Sequence, residues 1–160
     1  MWNALTLRAL EYHVLEERLT TWPRSSNNDR MKSRRGRAQE REVLREELER
    51  FVGLLNDSQT TVVVEGESDR RALIESGATV RVITLSEFER EIEGMYGQTI
   101  SLLMDLDRQG DEHVRRLVTR YGNIVRFSTA ARDYLRTTTS YRRGMRSVYE
   151  LLRFYTRCFL

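Results

Sequence analysis

The sequence has very little of several residue types that define whole classes of protein. Cys158 is the only cysteine among 160 residues, which excludes an internal disulfide and a zinc site built from cysteines. It also indicates a reducing compartment, so we expect a cytoplasmic protein. No apolar run approaches the length of a membrane span, and the N-terminus does not resemble a signal peptide. With 39% apolar residues, the chain can fill one modest core.

Lysine is also scarce, and the charge is distributed unevenly. Lys32 is the only lysine, so nearly all of the positive charge comes from arginine. Residues 57–112 carry 5 basic and 13 acidic side chains, whereas residues 115–160 carry 11 basic and 2 acidic ones. An acidic centre beside a basic flank is typical of a cation site next to a surface that binds a polyanion. We therefore expect contact with nucleic acid, the alternative being an ordinary solvated surface.

The N-terminal part of the chain is predicted to be helical. Apolar residues recur at helical spacing over residues 2–22, Pro23 ends that helix, and a second helix spans about 38–56. The polar, basic stretch 24–37 is predicted to be a flexible connector or arm. We assign residues 1–56 to a helical extension, whose apolar stripe on the second helix could contact a second copy or a protein partner.

From residue 60 onward, short apolar runs alternate with helical segments. This alternation is typical of an α/β fold with a parallel sheet and right-handed crossovers. Ser86 and Glu89 fit a capping box at the start of the helix after the second strand. The domain is expected to span 57–160, and its predicted strands cover residues 60–64, 79–84, 99–104 and 123–127.

Two of these strands end in carboxylates. Glu65 follows the first strand, and Asp105 and Asp107 follow the third, spaced so that both side chains point the same way in an extended segment. Open α/β sheets bind ligands beyond the carboxyl ends of their strands, so these residues can meet there if the two strands are neighbours. Converging carboxylates repel one another unless a cation shares them, and Mg²⁺ suits such a site. The alternative is that they are only turn formers or helix caps.

The order of these features resembles a known family. Val-Val-Val-Glu65-Gly66-Glu-Ser-Asp69, followed by Asp105-Leu-Asp107-Arg-Gln-Gly110, resembles the Toprim domain. Bacterial primases, type I and type II topoisomerases, some repair nucleases and a ribosomal-RNA-maturing ribonuclease share that domain. The resemblance covers roughly residues 59–130. The compact size looks most like the small stand-alone archaeal Toprim proteins related to that ribonuclease.

The resemblance implies a fold and roles for particular residues. The fold would be a Rossmann-like sheet of four parallel strands with flanking helices, preceded by the helical extension. Glu65 would be the general acid or base and belong to the metal site, in which Asp105 and Asp107 bind Mg²⁺ or Mn²⁺. Asp69 would support these carboxylates without contacting the metal. The turn glycines that let the backbone approach a phosphate would be Gly66 and Gly110.

Arginines close to the acidic residues are candidates for phosphate contact. Tyr134 and Tyr141 are interleaved with some of them and could stack on unpaired bases. His13 and His113 lack a partner at ligand spacing, so we expect them to be structural or exposed. The arginines chosen as nucleic-acid-binding residues are Arg108, Arg116, Arg120, Arg142 and Arg143.

The function expected from this resemblance is that of a Mg²⁺-dependent nuclease, a hydrolase that cleaves structured RNA internally, with RNA favoured over DNA. One alternative is a non-catalytic module for nucleic-acid binding or assembly. Another is a nucleotidyl-transfer subunit of a DNA replication or repair complex. Only the two alternatives require a partner chain.

Overall fold

The computed structural model of the protein describes residues 27–159, so the helix expected at 2–22 lies outside the described residues. Contacts divide the chain into two compact units, Met1–Gln39 and Glu40–Leu160, and the second contains the whole sheet. This division lies inside the first described helix, before the boundary expected at residue 57. Within the described residues, no helix is long and apolar enough to cross a bilayer.

The described elements alternate between strands and helices after one long helix. The strands are β1 Thr61–Val64, β2 Val82–Thr84, β3 Thr99–Leu103 and β4 Arg126–Ser128. The helices are α1 Asn27–Ser58, α2 Glu67–Glu75, α3 Leu85–Glu91, α4 Arg108–Tyr121, α5 Ala130–Leu135, α6 Thr139–Arg142 and α7 Val148–Phe159, with a short 3₁₀ turn at Ile92–Met95 after α3.

The four strands form one parallel sheet in the order β2-β1-β3-β4, which confirms the predicted fold class. In the register of the sheet, Val64 at the end of β1 lies opposite Thr84 of β2 and Leu103 of β3. The chain leaves β1 in one direction to form β2, and it returns to the other side of β1 to form β3. The direction of winding therefore reverses between β1 and β3, where open α/β sheets bind ligands.

Apolar helices cover both faces of the sheet. Val62 and Val64 pack against α1, α2, α5 and α7, whereas Val63 points to the opposite face, toward α3 and α4. Phe51 and Leu55 of α1 are buried in the first of these cores. The stripe that we expected to contact a partner thus lies, at these positions, in the chain's own core.

Two local predictions are wrong. Within the described residues, 27–37 belong to α1 and are not a flexible connector. Helix α3 is capped by Thr84 and not by Ser86, because β2 leads directly into the helix without a turn. The Thr84 hydroxyl accepts a hydrogen bond from Glu87 N, and the Glu87 carboxylate accepts one from Thr84 N at 2.7 Å. The predicted capping box therefore exists two residues earlier.

Glu47 differs from the exposed charged residues around it on α1. Its side chain is only 15% exposed. It accepts hydrogen bonds from the Tyr155 hydroxyl at 2.7 Å and from the Thr139 hydroxyl at 2.9 Å. Glu47 thus joins α1 to α6 and α7, and this helps to fix the segment that lies beside the carboxyl ends of the strands.

Candidate active site

Glu65 connects the ends of the two central strands. It follows β1, and its Oε1 accepts a hydrogen bond from Asp105 N, just beyond β3, at 3.3 Å. The same oxygen lies within hydrogen-bond distance of His113 Nδ1, at 3.1 Å. His113 was expected to be structural or exposed, and its position beside Glu65, where it is half-buried, was not predicted. The sequence did contain an indication that His113 lies near the acidic residues, since it follows Gly110, the glycine of the acidic motif, by one helical turn.

Asp105 lies partly buried among other carboxylates. Its Oδ1 accepts a hydrogen bond from Val148 N, at the start of α7, at 2.9 Å. Burial raises the pKa of Asp105 to about 6, and the negative charges of Glu65, Asp69 and Asp107 act in the same direction. The structure thus brings Glu65 and Asp105 together at the ends of adjacent parallel strands. Asp107 lies close enough for its charge to act on Asp105.

Asp107 and Gly110 form the start of α4. Asp107 is the N-cap, and its Oδ1 accepts a hydrogen bond from Gly110 N at 2.7 Å. A Cβ on Gly110 would lie 1.8 Å from the carbonyl oxygen of Asp105, so this glycine is required for packing inside the chain. Gly66 differs, because its backbone is extended and a Cβ there would meet Asp69 Oδ2 at 3.9 Å. Packing therefore explains why position 110 is a glycine. At Gly66, the approach of a phosphate to the backbone stays a prediction.

Asp69 lies behind the acidic residues at the strand ends. Its Oδ2 accepts a hydrogen bond from Gly66 N, and its Oδ1 accepts one from Tyr149 N, both at 3.1 Å. Burial raises the pKa of Asp69, and the nearby charge of Glu65 adds to this rise. The first amides of α7 therefore point at Asp69 and Asp105, where the helix dipole compensates part of the negative charge.

Carboxylate oxygens at the strand ends are the atoms that could bind a metal ion. Within residues 27–159, no group of three or more His, Cys, Asp or Glu side chains is already arranged to hold one. However, Glu65 Oε2, Asp105 Oδ2 and Asp107 Oδ2 accept no hydrogen bond from any described residue. Mg²⁺ typically takes one or two carboxylates and keeps waters and phosphate oxygens as its other ligands. The donor set therefore fits Mg²⁺, although no cage is formed in advance.

A cleft of about 490 Å³ opens beside Asp107, and arginines line it. Arg132 is buried, and it donates hydrogen bonds to the carbonyl oxygen of Asp105 at 2.6 Å and to Oδ1 of the lining residue Asp111 at 2.7 Å. The hydrogen bond from Arg132 lowers the pKa of Asp111. The arginines that line the cleft come from α4 and from the segments that follow α5 and α6, and they are Arg108, Arg115, Arg136 and Arg146.

Of the arginines chosen from the sequence, only Arg108 lines this cleft. Arg142 pairs with Glu47 and Arg143 with Glu40, so both face α1. The remaining two, on exposed positions of α4 outside the cleft lining, are Arg116 and Arg120. Sequence reasoning did not select Arg115, Arg136 or Arg146, because it could not tell which face of each segment would turn toward Asp107.

The two tyrosines have different surroundings. Tyr134 stacks on Phe51, and its hydroxyl donates a hydrogen bond to the carbonyl oxygen of Glu47, so its ring is engaged inside the chain. Tyr141 lines the cleft, and the guanidinium of Arg146 lies 4.0 Å from the centre of its ring. Only Tyr141 is therefore placed beside the acidic residues.

The similarity of this chain to known proteins is a similarity of fold. No family model and no curated protein matches the chain. A solved structure of a protein from Aquifex aeolicus is similar, with a TM-score of 0.52 and 19% sequence identity. The similarity covers 64% of this chain and 95% of that chain. At this level of identity, the likeness extends to the α/β fold alone.

Proposed function

We propose that this protein is a Mg²⁺-dependent phosphoryl-transfer enzyme of the Toprim type that cleaves structured RNA internally. One observation carries the proposal: Glu65 and Asp105 meet where the winding of the sheet reverses, and Asp107 adds a third negative charge nearby. Like charges held together at the ends of strands destabilise the fold unless a cation binds between them or a reaction uses them. The single cysteine is consistent with a cytoplasmic location for this activity.

Asp105 and Asp107 would hold the metal through the oxygens that accept no hydrogen bond from the described residues. When bound, Mg²⁺ supplies a Lewis acid that polarises a phosphodiester. The metal is expected to bind weakly without nucleic acid, because phosphate oxygens provide several of its ligands. Asp69 takes no direct part, since both of its oxygens accept backbone amides.

Glu65 would move the proton in this reaction. Its Oε1 is held by Asp105 N and His113 Nδ1, so Oε2 is the atom that can take a proton from an attacking water or give one to the leaving oxygen. His113 is then a positioning residue, because it fixes the orientation of the Glu65 carboxylate. The arginine-lined cleft beside Asp107 supplies positive charge for the RNA backbone.

One observation favours a second candidate, a non-catalytic nucleic-acid-binding module. Asp105 and Asp69 cap the first turn of α7, which is a structural use of acidic residues that needs no chemistry. In that case the acidic residues would hold α7 in place, and the arginines alone would contact nucleic acid.

An assay of the purified protein separates the two candidates. It uses end-labelled structured RNA and duplex DNA of matching sequence, each incubated with Mg²⁺ and with EDTA. We expect internal cleavage of the RNA with Mg²⁺ and none with EDTA. Tight RNA binding without cleavage at any Mg²⁺ or Mn²⁺ concentration would favour the binding module.

A further inference from the structure

Arg146 is held directly beside the acidic residues. Its carbonyl oxygen accepts a hydrogen bond from the amide of Leu106, which lies between Asp105 and Asp107, at 2.7 Å. Its Nη1 donates hydrogen bonds to the carbonyl oxygens of Tyr141 at 2.8 Å and Met145 at 2.9 Å. With the guanidinium also stacked over the Tyr141 ring, both ends of this half-buried residue are fixed.

The charge of Arg146 is not compensated inside the described part of the chain. None of the ion pairs among residues 27–159 includes Arg146 or Arg115, whereas Arg136 pairs with Asp111 at 2.8 Å. Arg146 Nη2 and Nε donate no hydrogen bond to any described residue. A fixed guanidinium that lines a cleft is suited to bind an oxyanion, since its planar fork matches phosphate geometry.

The acidic residues that line the cleft do not cancel this charge. Asp111 is shared by Arg132 and Arg136, and Glu112 lies 3.5 Å from Arg108. Asp107 is therefore the one lining carboxylate without a cationic partner among the described residues. Asp107 is also one of the two residues proposed to hold the metal.

We propose that this cleft is a phosphate-binding site in which Arg146 and Arg115 hold a backbone phosphate of the RNA. This phosphate is the neighbour, along the RNA strand, of the phosphate that reacts at the acidic residues. The ligand class is a polynucleotide phosphodiester, so this inference rests on the proposed function for the identity of the substrate. Arg146 is then a positioning residue, because it determines which phosphodiester of the RNA lies at the acidic residues.

The test measures RNA affinity in EDTA, so that it does not depend on catalysis. Fluorescence anisotropy with a labelled structured RNA is recorded at several KCl concentrations for wild type, Arg115→Ala and Arg146→Ala. Each substitution should weaken binding about tenfold and reduce the salt slope by about one. Arg146→Lys, which keeps the charge but not the planar fork, should fall between wild type and Arg146→Ala.

Arg90→Ala is the matched control. Arg90 lies at the opposite edge of the sheet, in a cleft that it shares with Arg81 and Gln98, which precede β2 and β3. Arg90→Ala should change the affinity for RNA by less than about twofold, because this substitution removes the same charge far from the proposed path of the RNA. If Arg146→Ala fails to fold by circular dichroism, the exposed Arg115→Ala decides alone.

The outcomes separate this inference from the proposed cleavage. Arg115→Ala with the affinity and salt slope of Arg90→Ala would overturn the phosphate site, even if the wild type cleaves RNA. A wild type that binds no RNA would overturn it too. A wild type that shows the expected arginine effects but never cleaves with Mg²⁺ would retain the phosphate site and reject the nuclease.

Discussion

Asp107 caps α4 through Oδ1, whereas its Oδ2 accepts no hydrogen bond from a described residue. Asparagine is as good an N-cap as aspartate, so Asp107→Asn should leave the free energy of unfolding nearly unchanged. Asp107→Ala should lower it by about 1 kcal/mol. Both variants lose the charge and should bind Mg²⁺ more weakly. Urea denaturation and calorimetric titration with Mg²⁺ measure the two properties, and unchanged metal affinity in Asp107→Asn would contradict the assignment.

At this scale, a residue could be predicted to lie at the site when its position follows directly from the end of a strand. Glu65, Asp105 and Asp107 could be found because each follows a strand, and the ends of parallel strands share one edge of the sheet. Arg146 could not be found in this way. The hydrogen bond from Leu106 N brings it to the site from a segment whose path depends on tertiary packing.

At the scale of the elements, two glycines that look equivalent in the motif have different roles. A Cβ at position 110 would overlap the Asp105 carbonyl, so Gly110→Ala should destabilise the protein by about 3 kcal/mol as α4 shifts. Gly66 has room for a methyl group, and Gly66→Ala should cost about 0.5 kcal/mol. Denaturation of the two variants measures this difference.

The RNA affinity of Gly66→Ala carries further information. If a phosphate approaches the backbone at Gly66, the added methyl group should weaken RNA binding while the protein stays folded. Equal stability losses in both variants would contradict the packing described for Gly110.

Element boundaries show where local sequence reasoning has its limits. The capping box of α3 was predicted two residues too late, because Ser86 and Glu89 have the same pattern as the true pair, Thr84 and Glu87. The role of Glu47 was missed for a related reason. A glutamate among exposed charges on α1 resembles its neighbours until α6 and α7 pack beside it.

At the scale of the whole molecule, the acidic site should affect the pH dependence of stability. Because the pKa of folded Asp105 is about 6 and its ordinary value is 3.8, the folded protein keeps a proton that the unfolded chain releases. Asp105 thus lowers the free energy of unfolding as the pH rises from about 4 to 6. Asp105→Asn removes this loss but can still accept the hydrogen bond from Val148 N.

Urea denaturation in EDTA at several pH values measures this effect. The stability of Asp105→Asn should rise relative to wild type as the pH increases through this range, and the difference should level off above it. The comparison between variants is needed because Asp111 and Glu87, whose pKa values are lowered, change stability in the opposite direction. Parallel stability curves would contradict the raised pKa of Asp105.

The overall fold could be predicted because it depends on repeated, local signals. Alternation of β-branched runs with helical segments predicted four parallel strands, and the structure has them. The strand order could not be derived from this pattern alone. It depends on which helices cover each face, and thus on contacts such as those of Phe51 and Leu55 with the first core.

Single-turnover cleavage by Glu65→Gln tests most directly the role proposed for Glu65, which is to move a proton in a Mg²⁺-dependent cleavage of RNA. Glutamine keeps the size of the side chain, and its Oε1 can still accept from Asp105 N and His113 Nδ1. General acid–base catalysis contributes about 10²–10⁴-fold in rate, so cleavage should slow by that factor while RNA affinity stays the same or increases. The control is Glu67→Gln, since Glu67 is exposed and pairs only with Arg70 among the described residues. Cleavage by Glu65→Gln at the rate of wild type and Glu67→Gln would contradict this role of Glu65.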